Sequence, residues 1–214
     1  MRSLDFFKRR GMNIDIGFRC ALECPRCARW RHYGKYGNKV PGYDITMKEY
    51  LKVVDWCYKH INFSGQYSDP IHHPLLIDFL KVNYERNIET SVHNASSAKS
   101  KEWYIKAFKA NPNARWIFGI DGMPEESHIY RINQKGQKLY DIMLEAKKHL
   151  NRTPVWQYII FSYNEHNLDK AMEKAKKDGV VFMYLQSSRW DSDDDELMPK
   201  NKNCLLYTSD AADE

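Results

Sequence analysis

Short, mostly apolar runs alternate along the chain with longer segments whose apolar residues recur at helical spacing. Such runs, almost continuously apolar, are typical of parallel strands that are covered on both faces. The segments between them have the period of amphipathic helices. The predicted strands are residues 12–18, 61–65, 89–93, 115–120, 154–161 and 180–185.

The polar residues at the ends of these segments predict where the helices begin and end. Thr46 has the pattern of an N-cap, with Glu49 three residues further on. Ser100 is a second predicted N-cap, and Gly179 is expected to end the last helix. Residues 34–42 are predicted to be rich in turns. The predicted helices are residues 47–60, 74–87, 101–110, 137–150 and 167–178.

Six alternations of strand and helix favour a parallel sheet joined by crossover helices. Six βα units make three quarters of a (β/α)₈ barrel. The predicted fold class is therefore α/β, a partial (β/α)₆ TIM-like barrel of parallel strands, with residues 1–190 as one core domain. In such barrels the chemistry lies at the C-terminal ends of the strands.

Composition narrows the function classes. The 214 residues are 43% hydrophobic, as in a globular protein with a sizeable core. The formal net charge is +5, and the basic residues are spread along predicted helix faces, which favours a solvated surface over a nucleic-acid site. The chain has neither an apolar run of about 18 residues nor a signal-peptide core. We therefore expect a cytoplasmic protein with no nucleic-acid or membrane partner.

Three of the five cysteines, Cys20, Cys24 and Cys27, lie in one loop directly after the first predicted strand. In a reducing compartment such a group indicates metal binding or catalysis rather than disulfides. One alternative is a zinc site completed by His32 in a non-catalytic binding protein. The other is a four-iron cluster with one iron open to a substrate or cofactor. Cys57, in a predicted helix, is interpreted as a small buried apolar residue.

The spacing Cys-x-x-x-Cys-x-x-Cys after a first βα strand resembles the radical S-adenosylmethionine (radical SAM) superfamily, as do the six βα units. The resemblance implies a [4Fe-4S] cluster on Cys20, Cys24 and Cys27, with S-adenosylmethionine at the open iron. In that family, one electron cleaves the cofactor, and the resulting 5′-deoxyadenosyl radical abstracts hydrogen from the substrate. An electron donor such as flavodoxin or ferredoxin is also implied. The substrate, a peptide or a small molecule, is not indicated.

Two further segments resemble cofactor-binding segments of the family. Ser64, Gly65 and Gln66 resemble its Gly-Gly-Glu segment, which holds the amino group of S-adenosylmethionine, with Gln66 in place of Glu. The segment around Asp121 resembles Ser-Ile-Asp-Gly, with Gly119 where Ser is common. Because that hydroxyl is absent, we expect Asp121 to contribute to cofactor binding instead.

The resemblance also assigns single residues to the cofactor. Arg131 lies where a family arginine pairs with the cofactor carboxylate, and a guanidinium suits such bidentate pairing; the alternative is a surface arginine. Arg26 replaces an aromatic residue that lies against adenine, so its guanidinium either stacks on the base or faces solvent. Gln186 follows the sixth strand, where the family reads adenine. The residues expected on the substrate side are His93, Asn94 and Asn164.

The segments at 120–122, 128–131 and 163–166 resemble the branch with a C-terminal cysteine-rich SPASM or twitch extension. Residues 191–203 are expected to be a linker toward such an extension, and the fragment is expected to be inactive toward substrate without it. Residues 204–214 resemble a translated sequencing adapter and are expected to be an artefact; a natural acidic tail is the alternative.

Overall fold

The computed structural model describes residues 11–37, 41–56, 59–187, 190–192 and 194–204. Within these residues, six strands form one sheet in which the spatial order follows the chain. Every neighbouring pair is parallel. This order results when each crossover places the next strand beside the previous one. The predicted fold class, a partial α/β barrel of parallel strands, is confirmed.

The strands are short, and helices connect them. The strands are β1 (Gly11–Asn13), β2 (His60–Phe63), β3 (Glu89–Asn94), β4 (Arg115–Gly119), β5 (Val155–Ile159) and β6 (Val181–Leu185). The helices are α1 (Ala28–Tyr36), α2 (Met47–Trp56), α3 (Leu76–Glu85), α4 (Lys101–Ala110), α5 (Gly136–Ala146) and α6 (Leu168–Asp178).

The predicted helix ends are confirmed by their hydrogen bonds. At the start of α2, the Thr46 N–H donates to Glu49 Oε2 at 2.7 Å, and the Glu49 N–H donates to Thr46 Oγ1 at 3.2 Å. The Ser100 hydroxyl accepts from the Trp103 N–H at 3.3 Å at the start of α4. Gly179 ends α6 with φ +65°, a conformation that glycine adopts without strain.

The first strand, predicted over residues 12–18, is present as β1, but its predicted end is wrong. The β1 ladder ends at Asn13, after which the Ile14 N–H makes one more bond to the Asn62 carbonyl at 2.9 Å. Beyond it, the carboxylate of Asp15 accepts hydrogen bonds from the loop after β2. The chain therefore leaves the sheet early and leads directly into the cysteine loop.

The turn-rich segment predicted at residues 34–42 is also wrong in its first part. Helix α1 extends through Tyr36 and ends at Gly37, whose φ is +67°. None of its residues is buried. The helix consequently lacks the apolar stripe on which a sequence-based prediction depends.

The buried core lies between the sheet and the helices. Trp116 on β4 meets Phe108 of α4 edge-on, with ring centroids 4.9 Å apart. Trp156 on β5 meets Tyr140 of α5 in the same way at 5.0 Å. Full burial of one such large side chain contributes about 2 kcal/mol. These aromatic pairs hold β4 and β5 rigidly beneath the site.

The two remaining cysteines differ in what the structure describes of them. Cys204 is buried and packs against the core, whereas Cys57 and residues 205–214 lie outside the described residues. The adapter origin of residues 204–214 therefore stays a prediction. Every helix in the described part of the chain is too short or too polar to span a bilayer.

Candidate active site at the barrel mouth

A cavity of about 430 Å³ opens at the C-terminal ends of the strands. Its wall combines the cysteine loop with residues from the ends of β2 to β6. Arg26, Asp121 and Asn164 are not among the lining residues. The predicted site residues that line the cavity are Cys20, Cys24, Cys27, Ser64, Gly65, Gln66, His93, Asn94, Arg131 and Gln186.

The cysteine loop turns into α1 at its third cysteine. Cys27 is the N-cap residue, and its thiol does not cap the helix. The Cys27 N–H donates to the Cys24 carbonyl at 3.0 Å, which closes the turn between the two residues. The thiols of Cys20, Cys24 and Cys27 are all free of disulfides. All three therefore remain available as ligands.

Arg29, in the first turn of α1, holds the cysteine loop from inside. Its Nη1 donates to the Cys20 carbonyl at 2.8 Å, and its Nη2 donates to the Leu22 carbonyl. The indole N–H of Trp30 reaches the same Leu22 carbonyl at 3.2 Å. The Nε of Arg29 is buried and has no hydrogen-bond partner. Sequence reasoning missed Arg29, although its place two residues after Cys27 was a signal.

Burial controls the protonation of the thiols. Burial raises the pKa of Cys20 to about 12, and the charge of Asp69 adds to the rise. Burial likewise raises the pKa of Cys24 to about 11, against the opposing charge of Arg131. Both thiols are neutral at pH 7 in the metal-free protein. Since metals and clusters bind thiolates, loading the site must release protons.

The donor geometry does not favour the zinc alternative. Four ligands of one zinc ion lie about 2–2.3 Å from it, and no three described His, Cys, Asp or Glu side chains are placed to hold a metal ion in this way. His32 is not a lining residue, and its ring lies 4.7 Å from that of Tyr36. An iron–sulfur cube instead takes each thiolate on a different iron, so its three cysteine ligands do not have to converge on one metal ion.

Asp15 and Gly65 shape the loop after β2. Asp15 Oδ2 accepts from the Gln66 N–H at 2.8 Å, and Oδ1 accepts from the Ser68 hydroxyl at 2.7 Å. A Cβ at position 65 would lie 1.6 Å from the Ser68 carbonyl oxygen, so only glycine fits. This tight turn presents Ser64, Gly65 and Gln66 to the cavity.

Asp69 joins the loops after β2 and β3. Its Oδ2 accepts from the N–H groups of Ala95 and Ser96, both at 2.8 Å. Its Oδ1 accepts from the Ile71 N–H at 3.2 Å. Burial raises the pKa of this carboxyl to about 6, although the three N–H groups oppose the rise. Asp69 also lines the cavity. In the sequence, only the Asp-Pro pair that it forms with Pro70 indicated a special position.

Arg131 and Asp121 form a buried ion pair. The Nε–Oδ2 distance is 2.8 Å, and the contact is ionic rather than a well-aligned hydrogen bond. Asp121 Oδ1 also accepts from the Ile159 N–H at 2.8 Å. A Cβ at Gly119 would lie 2.8 Å from Arg131 Nη2, so the glycine makes room for the guanidinium. Asp121 thus acts on the cavity through Arg131, which lines it.

Arg26 faces the acidic segment near the end of the chain. It pairs with Asp191 at 2.8 Å and with Asp195 at 2.9 Å. The Asp195 side chain is fully buried, and it also accepts from the Asp191 N–H at 2.8 Å. The arginine thereby fastens Asp191 and Asp195 to the cysteine loop. Its contact with adenine stays a prediction.

The three predicted substrate-side residues have different surroundings. His93 lines the cavity beside its hydrogen-bond partner Gln157, and burial lowers the pKa of the imidazole. Asn94 also lines the cavity, with its amide 2.9 Å from the Tyr104 hydroxyl. Asn164 is fully buried and holds the loop after β5 through the Ile159 carbonyl at 3.0 Å. A substrate role for Asn164 stays a prediction.

Comparison with known proteins gives structural likenesses only. No protein-family model matches the sequence, and no curated protein matches it. The fold is similar to that of Streptococcus suis SuiB bound to S-adenosylmethionine, with a TM-score of 0.66 and 7% identity over 91% of this chain and 44% of that chain. It is also similar to anSMEcpe with bound AdoMet and Cp18Cys peptide. That comparison has a TM-score of 0.63 and 15% identity over 92% of this chain and 55% of that chain.

A third similar structure is methylornithine synthase (PylB), with a TM-score of 0.59 and 11% identity over 81% of this chain and 52% of that chain. The chain thus spans about half the length of the solved structures that it matches. At these identities the likeness shows the fold alone. The chain has the α/β partial-barrel architecture that these three proteins share.

Proposed function

We propose that the chain is the core of a radical SAM enzyme. The observation that carries the proposal is the wall of the barrel-mouth cavity, which brings Cys20, Cys24 and Cys27 together with Arg131. Thiolates in this spacing suit a cluster, and a guanidinium suits a carboxylate. The resemblance of residues 120–122, 128–131 and 163–166 supports the SPASM or twitch branch of that superfamily.

The residues present fit a [4Fe-4S] cluster and S-adenosylmethionine. Cys20, Cys24 and Cys27 would hold the cluster, whose bound form supplies an electron for reductive cleavage of the cofactor to a 5′-deoxyadenosyl radical. Arg131 would receive the cofactor carboxylate, because its guanidinium lines the cavity. The segment 64–66 would receive the amino group, with the carbonyl of the Gln66 side chain as a neutral acceptor. Gln186 would lie toward the adenine.

Apolar side chains line the cavity beside the cysteine loop. Leu22, Cys24, Tyr130 and Phe161 are buried in one cluster on this side of the cavity. The rings of Tyr130 and Phe161 lie 4.2 Å apart, and Trp190 packs edge-on against Phe161 at 6.1 Å. A dry wall protects a reactive radical from side reactions.

The substrate side of the cavity is neutral and hydrogen-bonding. His93 and Gln157 offer donors and acceptors without charge, beside the apolar Ile117 and Ile159. This lining suits an amide or hydroxyl group of a peptide or a small metabolite. A flavodoxin or ferredoxin would supply the electron in a reducing cytoplasm.

Anaerobic reconstitution with iron and sulfide tests the proposal. We expect four irons and four sulfides per chain, loss of the cluster in Cys20→Ala, Cys24→Ala and Cys27→Ala, and retention in Cys204→Ala, whose thiol does not line the cavity. With dithionite and S-adenosylmethionine, the loaded protein should form 5′-deoxyadenosine. One tightly bound zinc without sulfide, lost in His32→Ala, would establish the alternative. Failure of the loaded protein to cleave the cofactor would refute radical chemistry.

A further inference from the structure

Arg29 is a half-buried cation in the cavity wall, and its hydrogen bonds hold the cysteine loop. Its two Nη groups donate to the carbonyls of Cys20 and Leu22. Its Nε is buried without any partner in the described part of the chain. An unsatisfied N–H of a charged group is costly. The orphaned Nε–H therefore indicates an acceptor that the protein alone does not supply.

The charge of Arg29 is uncompensated, unlike that of Arg131. Arg131 has the buried carboxylate of Asp121 at 2.8 Å. Within the described ranges no Asp or Glu lies at ion-pair distance from Arg29. The first turn of α1 contains no acidic residue either, so the positive end of that helix adds to the same field. Arg29 and this helix end thus add positive charge beside the cysteine loop, which the charge of Asp69 opposes at Cys20.

We propose that Arg29 is a positioning residue for the iron–sulfur cluster and sets its reduction potential. The inference rests on the proposed function. The guanidinium fixes the loop through two carbonyls, while its charge and its Nε–H stabilise the cluster when an electron makes it more negative. Cluster potentials depend on net charge, on hydrogen bonds to sulfur and on solvent exposure. Removal of Arg29 should therefore lower the potential.

Two variants and one control test the inference. Arg29→Met removes the charge and all N–H donors, whereas Arg29→Lys keeps the charge but cannot bridge two carbonyls. Lys35→Met removes one charge from the exposed end of the same helix. The first measurement is the midpoint potential of the reconstituted cluster, monitored through its EPR signal. The second is hydrogen exchange of residues 19–25 in the metal-free proteins.

For Arg29→Met we expect the equilibrium constant for one-electron reduction of the cluster to fall at least tenfold, which is a shift of 59 mV to more negative potential. Hydrogen exchange in the cysteine loop should also be faster. Arg29→Lys should keep most of the potential but also exchange faster. Lys35→Met should match the wild type in both measurements.

The outcomes separate this inference from the proposed function. If the wild type assembles a cluster and Arg29→Met has the same potential, Arg29 does not tune it. If Arg29→Met assembles no cluster, the midpoint potential of Arg29→Lys tests the role of charge instead. A shift of this potential as large as that expected for Arg29→Met would overturn that role. If the wild type itself assembles no cluster, the proposed function fails. Unchanged exchange in metal-free Arg29→Met would overturn loop positioning even then.

Discussion

Replacing Gly65 by alanine should disrupt the loop that presents residues 64–66 to the cavity. The new Cβ would lie 1.6 Å from the Ser68 carbonyl oxygen, whereas real contacts of a Cβ essentially never fall under 3.0 Å. The backbone must therefore move by about 1.4 Å, because the opposing atom is a carbonyl and not the end of a flexible side chain. Such a movement also disturbs the Asp15 bonds to Gln66 and Ser68.

The magnitude follows from these contacts. Overpacking strain of this kind costs about 2 kcal/mol. Loss of one hydrogen bond to the ionised Asp15 costs about 2 kcal/mol more. We therefore expect Gly65→Ala to lower the free energy of unfolding by about 4 kcal/mol. For a chain of this size, that corresponds to a melting temperature roughly 8–16 °C lower.

Urea unfolding and thermal melting of the metal-free, reduced protein, both followed by circular dichroism, measure this effect. Gly34→Ala is the matched control, because a Cβ there meets nothing within 4 Å and the residue lies inside α1. That variant should gain about 0.5–1 kcal/mol, since alanine favours the helix. A loss below about 1 kcal/mol in Gly65→Ala would refute the steric argument.

Three further predictions concern buried charges. Asp121→Asn should lower the free energy of unfolding in urea by about 3 kcal/mol, because Arg131 is left buried without its counter-charge. A second change, Arg131→Met, should recover part of this loss. Strictly additive losses in the double variant would contradict the coupling between the two residues. Arg26→Met should make the segment around Asp195 more susceptible to limited proteolysis. Unchanged cleavage rates would contradict the view that Arg26 holds this segment in place. The pKa of Asp69 is raised to about 6 from 3.8, so the folded state binds its proton more tightly than the unfolded state. The protonated Asp69 carboxyl therefore contributes about 3 kcal/mol to the stability of the folded state below pH 4, and this contribution is lost as the pH rises through 6. The difference in unfolding free energy between wild type and Asp69→Asn should change across this window, and a constant difference would contradict the shift.

The fold was largely predictable because its strands carry a strong local signal. Apolar runs such as that of β4 and helices with caps such as Ser100 are specified within a few residues. The exceptions, β1 and α1, flank the cysteine loop. β1 ends early because Asp15 bonds to a loop about 50 residues away, and α1 buries none of its side chains. Neither cause is visible in local periodicity.

The lining of the cavity was predictable where its residues follow the ends of strands, whereas side-chain pairs between distant loops were not. Cys20, Cys24 and Cys27 lie within one loop, and their common place on the cavity wall follows from the end of the first strand. The partners of Arg26 and Asp69 could not be read locally, because Asp195 lies 169 positions from Arg26 and Ala95 lies 26 positions from Asp69. Pairings at such separations are set by the folded arrangement of the sheet and its loops.

Gly119, Asp121 and Arg131 are coupled in space. The sequence predicts them singly, as the loss of a hydroxyl, a substitute ligand and an arginine either at the cofactor or at the surface. In the structure, the absence of a side chain at Gly119 gives the Arg131 guanidinium its place, and Asp121 neutralises it there. The Cβ of a serine at position 119 would lie 2.8 Å from Arg131 Nη2, so the guanidinium would have to shift to admit that side chain. The three residues therefore form one contact unit, in which a change at any of them alters the surroundings of the guanidinium.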